Sequence, residues 1–327
     1  MTFNAALIGA GAIGAAHLEA MAAMEGIAAV ALSDVSPERG ERSAQRFGVK
    51  AYADYRVMID EVRPEIAIIA LPHFLHKEAS LYCLDRGCHL LIEKPMAISA
   101  VECDEILASA ERNGRIVFVG HTQQFLAANL LAKQLIRSKE LGKLIMINDV
   151  RHSPYFTPQR PAWFLEPAKS GGGIVANLGA HAIDKIQWLT DSRIVNVRAA
   201  LSYEAEGYPD VEGSAAIFLT TSSGVPCTVN LSGYAGDTRE ETELVFTYGM
   251  LKIVSHRSVW LSQGGLYREA TPDNSVDPFR LQFEDLLACI RDGEQPYCSG
   301  AYGRSVVRVI EAVYKSQRSG AEIAVPQ

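Results

Sequence analysis

The N-terminal stretch Gly9-Ala10-Gly11-Ala12-Ile13-Gly14 decides the predicted fold. It follows the apolar run 5–8 and precedes 15–24, which is rich in good helix formers, so the glycines lie on a predicted strand-to-helix turn. In such a turn the first glycine permits a tight bend, the second lets backbone approach a pyrophosphate, and the third lets the helix pack on the strand. The first N–H groups of the helix then face the phosphates. The predicted cofactor contacts here are Gly9, Gly11, Ala12, Ile13 and Gly14.

An acidic residue follows this turn at the spacing that a dinucleotide site requires. Asp34 ends the second apolar run, about 20 residues after Gly14, where a carboxylate holds the ribose 2′-hydroxyl of NAD. Arg39 lies five residues further on and is a candidate partner for the 2′-phosphate of NADP. Because Asp34 would repel that phosphate, NAD is favoured over NADP, which is not excluded. The alternative is an ordinary strand-to-helix turn that merely needs small residues.

Length and composition narrow the class of protein. The chain has 327 residues, of which 48% are hydrophobic, and this length suits two domains. The formal net charge is −7 and no basic block is present, so no nucleic-acid partner is expected. No apolar run approaches the roughly 18 residues of a membrane span, and the N-terminus lacks the basic region of a signal peptide. We therefore expect no membrane partner and a cytoplasmic location.

The six cysteines show no metal-binding pattern. None forms a CxxC pair or a CxxC–HxxxH pattern, so no metal site is expected. In a reducing compartment such cysteines behave as small buried hydrophobic residues.

Residues 1–120 alternate strand-like and helix-like segments, which predicts a doubly wound parallel Rossmann sheet. Residues 121–327 read as an α+β domain with a large, mostly antiparallel open sheet, arranged as a meander. Helices are expected over 280–291 and 303–317, with these C-terminal helices packing back on the first domain. One open face of the second sheet is a natural subunit interface, which predicts a homodimer or homotetramer. The six predicted strands of the first domain are Ala5–Ile8, Ala28–Leu32, Ala51–Tyr52, Ile66–Leu71, His89–Ile92 and Arg115–Gly120.

Glu93-Lys94-Pro95 follows the fifth predicted strand directly. Ligands of open α/β sheets bind beyond the carboxyl ends of the strands. A lysine there can donate to a substrate oxygen and hold developing negative charge, and Glu93 can orient it. The alternative is a solvated surface pair of opposite charges.

The segment Gly171–Asp184 combines three glycines with Asn177, His181 and Asp184. On the helix expected over 175–189, these three polar side chains share one face. A histidine between an amide and a carboxylate can accept and return a proton near neutral pH, and the glycines allow close backbone approach to a ligand. The alternative is a polar helix face with a structurally satisfied histidine.

Further polar residues follow the fourth and sixth predicted strands. Leu71-Pro72-His73 and His76 either line the cofactor or merely open a helix. His121 and Gln123 face the same predicted crevice and are candidates for substrate binding. No partner for His17 is evident from the sequence.

Together these motifs resemble the glucose-fructose oxidoreductase / inositol dehydrogenase / MocA (Gfo/Idh/MocA) family over nearly the whole chain. The resemblance rests on Gly9–Gly14, Leu71-Pro72 with His76, Glu93-Lys94-Pro95 and Gly171–Asp184, in family order. It implies a Rossmann domain with a C-terminal α/β domain, and a homo-oligomer. It also implies hydride transfer between NAD(P) and a hydroxyl-bearing carbon of a small polyhydroxy substrate, a sugar, sugar acid or cyclitol.

The resemblance also implies roles for individual residues. Lys94 and His181 fall on the family's catalytic lysine and histidine. Asn177 stands where the inositol dehydrogenase pattern has an aspartate, and this departure weighs against myo-inositol as the substrate. Asn177 and Asp184 are expected to hydrogen-bond substrate hydroxyls. Arg160 and Trp163 match a loop near the nicotinamide. The alternatives are a glycoside hydrolase that retains NAD and a non-catalytic NAD(H)-binding regulatory protein.

Overall fold

The computed structural model describes residues 2–275 and 277–327, and the chain divides into two compact units. The first unit comprises Met1–Thr122 and Asp277–Arg304. The second comprises Gln123–Val276 and Ser305–Gln327. Asp277–Arg304 is thus counted with the N-terminal part of the chain.

The first unit is built on a six-stranded sheet in the order β3-β2-β1-β4-β5-β6, with every pair parallel. The strands are β1 (Phe3–Ile8), β2 (Ile27–Ser33), β3 (Lys50–Tyr52), β4 (Ile66–Ile69), β5 (His89–Glu93) and β6 (Val117–Gly120). The helices between them are α1 (Ala12–Ala22), α2 (Pro37–Phe47), α3 (Tyr55–Val62), α4 (His76–Leu84) and α5 (Ala100–Asn113). The doubly wound Rossmann sheet is confirmed. The four residues of β4 are fully buried, as expected for a strand covered on both faces.

Capping residues account for several helix boundaries. Ser36 accepts a hydrogen bond from the backbone N–H of Arg39 at the start of α2, and Ser99 caps α5 in the same way. Gly48 and Gly114 end these helices in the left-handed conformation that glycine adopts without strain.

The second unit contains a nine-stranded sheet in the order β14-β13-β12-β11-β7-β10-β9-β8-β15. Its strands are β7 (Leu144–His152), β8 (Ile194–Ser202), β9 (Ser214–Thr221), β10 (Pro226–Ser232), β11 (Arg239–Phe246), β12 (Gly249–Val254), β13 (Ser258–Ser262), β14 (Tyr267–Ala270) and β15 (Ile323–Ala324). The predicted meander is interrupted, because β7 lies between β11 and β10 and runs parallel to β10. The remaining strand pairs are antiparallel, so the mostly antiparallel sheet is confirmed.

The two faces of this sheet differ in burial. Ile147, Val229 and Leu244 point to the inner face and are fully buried. On the other face Phe218 is 44% exposed. The helices of this unit before β8 are α6 (Ala127–Ser138), α7 (Pro167–Ser170) and α8 (Ala180–Thr190).

Two longer helices precede the last strand, α9 (Pro278–Asp292) and α10 (Gly300–Ser319). Each extends the predicted helix by a few residues, because Asp277 caps α9 and α10 begins already at Gly300. Within the first unit α9 packs against α1. Among the described residues no helix has the length and apolarity that crossing a membrane requires.

Candidate active site

The glycine turn between β1 and α1 has the shape that the sequence predicts. Gly9 has φ +98°, and a Cβ there would lie 2.4 Å from the carbonyl oxygen of Ala70. A Cβ on Gly14 would lie 2.1 Å from the oxygen of Gly9, so both positions exclude a side chain. A Cβ on Gly11 would meet nothing within 4 Å. The chain's own packing therefore requires two of the glycines, whereas the space beside Gly11 fits a pyrophosphate at the N-terminus of α1.

Asp34 follows β2 and lies beside this turn. Its Oδ2 accepts the backbone N–H of Ala10 at 2.9 Å, and its Oδ1 accepts that of Ser36 at 2.8 Å. Arg39 binds both oxygens, with Nε at 2.8 Å from Oδ2 and Nη2 at 2.7 Å from Oδ1. Burial alone would raise the pKa of Asp34, but these donors outweigh it and lower the pKa below its usual value. A carboxylate is thus held beside the glycine turn, as NAD binding requires.

His76 joins two loops that follow strands. Its Nδ1 lies 3.0 Å from the carbonyl oxygen of Pro95, and its Nε2 lies 2.8 Å from that of Leu71. Burial lowers the pKa of His76 despite both hydrogen-bond partners. The neighbouring His73 is also buried, within a single 3-10 turn over His73–Leu75 that precedes α4. These contacts brace Leu71-Pro72 against the segment after β5, and direct contact with a cofactor stays a prediction.

Lys94 follows the end of β5 and lies near His121. His121 is 1% exposed, and its pKa is lowered to about 3, first by burial and then by the positive charge of Lys94. The His121 ring also packs edge-on against Tyr302, with 5.4 Å between centroids. His121 is therefore neutral at physiological pH.

His17 is a residue whose partner sequence reasoning missed. It is fully buried on α1, and its Nε2 lies 2.8 Å from Oε1 of Glu93. The two residues are 76 positions apart, so no local pattern links them.

In the second unit the predicted single helix over 175–189 is wrong at its start. Val175–Gly179 forms a π-helical turn, and α8 begins only at Ala180. Such turns are rare, and they often occur at functional sites. Asn177 lies in this turn, is 9% exposed, and is hydrogen-bonded to the phenol of Tyr155. Burial raises the pKa of Tyr155 to about 12, so Asn177 has a neutral phenol beside it. His181 lies in the first turn of α8 and is partly exposed.

Two of the three glycines before this turn, Gly172 and Gly173, serve the chain's own packing. A Cβ on Gly172 would lie 1.8 Å from the hydroxyl of Tyr314, and one on Gly173 would lie 2.5 Å from the backbone oxygen of Glu212. These two glycines make room for Tyr314 and Glu212, and the close approach of a ligand to the glycine segment stays a prediction.

Glu212 is a second residue that sequence reasoning missed. Its carboxylate accepts the backbone N–H groups of Gly173 at 2.8 Å and Val175 at 3.0 Å, and the Tyr314 hydroxyl at 2.6 Å. Burial raises the pKa of Glu212 although all three donors act in the opposite direction. The carboxylate thereby holds the start of the segment that carries Asn177 and His181.

Asp184 and Gln123 were expected to bind substrate, but both are buried and contact other side chains. Asp184 Oδ1 accepts a 2.7 Å hydrogen bond from Gln124. Gln123 Oε1 lies 3.5 Å from Nη2 of Arg151, and the Gln123 backbone oxygen accepts from Asn129. These contacts support a positioning role, and their contact with substrate stays a prediction.

Arg160 and Trp163 lie in the loop after β7. The Arg160 guanidinium lies 3.8 Å from the centroid of the Tyr155 ring, and its Nε donates to the Tyr155 carbonyl oxygen. Trp163 stacks on Phe164, with 3.7 Å between ring centroids. Their predicted contact with nicotinamide stays a prediction. Within 2–275 and 277–327 no group of His, Cys, Asp and Glu side chains is arranged to hold a metal ion.

Comparisons with known proteins match each part of the chain to a family model. Residues 3–121 match a family described as an oxidoreductase family with an NAD-binding Rossmann fold, and residues 129–252 match the GFO/IDH/MocA C-terminal domain. Inositol 2-dehydrogenase 2 of Saccharopolyspora erythraea is 26% identical, over 99% of this chain and 96% of its own length. A 1-carboxy-3-chloro-3,4-dihydroxycyclohexa-1,5-diene dehydrogenase of Comamonas testosteroni is 28% identical, over 79% of this chain and 60% of its own length.

A solved structure shares the fold over the whole chain. Levoglucosan dehydrogenase, in complex with NADH and levoglucosan, superposes with a TM-score of 0.92 and covers 100% of both chains. Its sequence identity is 21%, so this likeness concerns the fold alone.

Proposed function

Because the chain belongs to the Gfo/Idh/MocA family of oxidoreductases and contains its NAD-binding Rossmann domain, we propose that it oxidises or reduces a sugar, sugar acid or cyclitol at a secondary hydroxyl or ketone. The observation that carries the cofactor assignment is the glycine turn with Asp34 hydrogen-bonded beside it. The names of the relatives, which include an inositol dehydrogenase, support the substrate class.

In the proposed mechanism His181 removes the proton of the reacting hydroxyl as general base. Lys94 donates a hydrogen bond to that oxygen and stabilises its developing negative charge. Bound NAD supplies the hydride acceptor in the oxidative direction. Asn177 hydrogen-bonds a neighbouring hydroxyl of the substrate. Asp184 supports the side of α8 that carries His181, through the hydrogen bond that it accepts from Gln124.

The experiment that tests this proposal is an absorbance assay of NADH with a panel of aldoses, sugar acids and inositols, in both directions and with both nicotinamide cofactors. His181→Ala and Lys94→Ala are each expected to lower turnover of the preferred substrate by about 10²–10⁴-fold, the usual contribution of a positioned acid or base. Lys50→Ala, which removes an exposed lysine of β3, serves as the control. Full turnover by the His181 variant would overturn its assignment.

If no member of the panel is turned over, two alternatives are favoured: a glycoside hydrolase that retains NAD and a non-catalytic NAD(H)-binding regulatory protein. Cofactor that copurifies and is never released would indicate a hydrolase that retains NAD. Exchangeable NAD(H) binding without turnover would indicate a regulatory protein.

We also propose that the chain forms a homodimer or homotetramer through the outer face of the nine-stranded sheet. Phe218 and Ala216 are exposed on β9, and Arg198 and Ala200 are exposed on β8 beside them. In a two-fold interface the same surface of both subunits meets, and this surface offers both apolar and charged side chains for such a contact. The cytoplasmic location and the absence of nucleic-acid and membrane partners stay part of this proposal.

A further inference from the structure

The buried His17 ring connects α1 to the residue before Lys94. The N-terminus of α1 is the end that faces the predicted pyrophosphate, and His17 lies on its buried side. The Nε2 atom of His17 lies 2.8 Å from Oε1 of Glu93, the last residue of β5. This contact therefore links the nucleotide-binding helix to the strand end that carries Lys94.

The direction of this hydrogen bond follows from the two groups. A carboxylate only accepts, so the proton lies on Nε2 of His17. The Nδ1 atom makes no hydrogen bond within the described chain. The ring edge instead packs on Phe279 and Phe283 of α9, with centroid distances of 5.0 Å and 5.6 Å. The ring of His17 thus packs against two phenylalanines and donates one hydrogen bond, from Nε2 to the carboxylate of Glu93.

The Glu93 carboxylate is confined by its other neighbours. Its Oε2 accepts the backbone N–H of Lys94 at 3.3 Å. Gly120, at the end of β6, lies so close that a Cβ there would be 2.9 Å from Oε1. The carboxylate side chain is only 13% exposed, so few alternative orientations would leave it hydrogen-bonded. His17 therefore holds Oε1 while the backbone N–H of Lys94 holds Oε2, and the two donors together fix the orientation of the carboxylate.

We propose that His17 is a positioning residue for Lys94, acting through the carboxylate of Glu93. The inference rests on the proposed role of Lys94 as hydrogen-bond donor to the reacting oxygen. Without the His17 donor, Oε1 of Glu93 loses this hydrogen bond, and the carboxylate turns toward the ammonium of the adjacent Lys94 and draws it away from the substrate. Because His17 lies on α1, the same hydrogen bond transmits the position of the nucleotide-binding helix to this lysine.

Two amide variants separate the hydrogen bond from the packing of the ring. The side-chain nitrogen of His17→Gln reaches the place of Nε2 and keeps the donor, whereas that of His17→Asn reaches only the place of Nδ1. Both put an amide beside the same two phenylalanines. We expect His17→Asn to lower kcat by about 10- to 100-fold, the effect of misplacing a catalytic group by about an ångström. We expect His17→Gln to stay near the wild type, with the KM for NAD little changed in both.

A second readout needs neither cofactor nor substrate. The rate at which Lys94 reacts with acetic anhydride in NAD-free protein, followed by mass spectrometry across pH, reports its unprotonated fraction. A carboxylate that moves closer stabilises the ammonium, so the reactivity of Lys94 in His17→Asn is expected to appear at higher pH. His121 also faces Lys94, but with a pKa lowered to about 3 it stays neutral in this range. Lys77, on α4, is the internal reference.

These outcomes separate the inference from the proposed function. If His17→Asn and His17→Gln show the same Lys94 profile as the wild type and lose only thermal stability, His17 is structural and the inference is wrong. If the wild type turns over no polyhydroxy substrate, the proposed function fails, whereas the labelling experiment still decides whether His17 positions Lys94.

Discussion

At the scale of single residues, the roles depend on partners that lie close in space. Asp34 was identifiable from its spacing after the glycines, because that spacing is set by one strand and one helix. The two hydrogen bonds from the Arg39 guanidinium to the Asp34 carboxylate are also local, since Arg39 lies five positions after Asp34. The partners of His17 and Glu212 were not identifiable, because Glu93 lies 76 positions from His17 and the donors to Glu212 lie 37 to 102 positions from it.

The Asp34–Arg39 pair predicts how cofactor preference changes. Asp34→Ser removes the acceptor for the NAD ribose and releases the Arg39 guanidinium toward a 2′-phosphate. A hydrogen bond to a charged group contributes about 1.5–3 kcal/mol, so kcat/KM for NAD is expected to fall by roughly 10- to 100-fold while that for NADP rises. Steady-state kinetics with both cofactors measures the ratio. The double variant Asp34→Ser/Arg39→Ala should lose the gain with NADP, and an unchanged ratio in Asp34→Ser would refute this prediction.

At the scale of elements, α8 carries a buried lysine that the sequence pattern did not reveal. Lys185 is 1% exposed, and its Nζ lies 2.8 Å from Oγ1 of Thr242 and 3.6 Å from Oδ2 of Asp149. Asp149 also binds Arg151, with 2.9 Å between Oδ1 and Nε. Burial, and then the charge of Arg151, lowers the pKa of Lys185 to about 8, although Asp149 opposes this shift. The inner face of the sheet thus holds α8 through charges as well as apolar contacts.

This lysine predicts a pH dependence of stability. In the unfolded chain the pKa of a lysine is about 10.4, so between pH 8 and 10.4 the unfolded state binds the extra proton. The free energy of unfolding contributed by Lys185 therefore rises with pH in that window, by at most about 1.4 kcal/mol per pH unit. Lys185→Met, which leaves Asp149 paired with Arg151, is expected to lose this rise.

Urea denaturation of the wild type and of Lys185→Met from pH 7 to 10 measures the difference. Lys169→Met removes an exposed lysine and should follow the wild type. Parallel stability curves for the wild type and Lys185→Met would count against a depressed lysine pKa in the folded state.

At the scale of the whole molecule, self-association is the property most open to test. Stable interfaces bury about 800 Å² on each partner and contain apolar residues at their centre. Phe218→Glu places a charge in the proposed contact surface on β9, so it should lower the oligomeric mass. Light scattering at micromolar concentration measures this, and the wild type is expected to show a multiple of the 35.6 kDa chain.

Val101→Glu is the matched control, because Val101 is an exposed apolar residue on α5, outside the sheet. It should keep the mass of the wild type. A monomer mass for the wild type itself would contradict the proposed assembly.

The sequence by itself determined the Rossmann sheet, the glycine turn, and the places of Asp34 and Lys94 directly after their strands. Each of these follows from residues close in the chain: apolar runs, turn glycines, capping serines and motif spacings. The tertiary structure alone decided the place of β7 beside β10, the π-helical turn that carries Asn177, and the internal use of the glycines before it. It also decided the partners of buried polar side chains. The physical reason is that register, close packing and charge pairing depend on contacts between residues far apart in the chain, whereas local patterns report only neighbours.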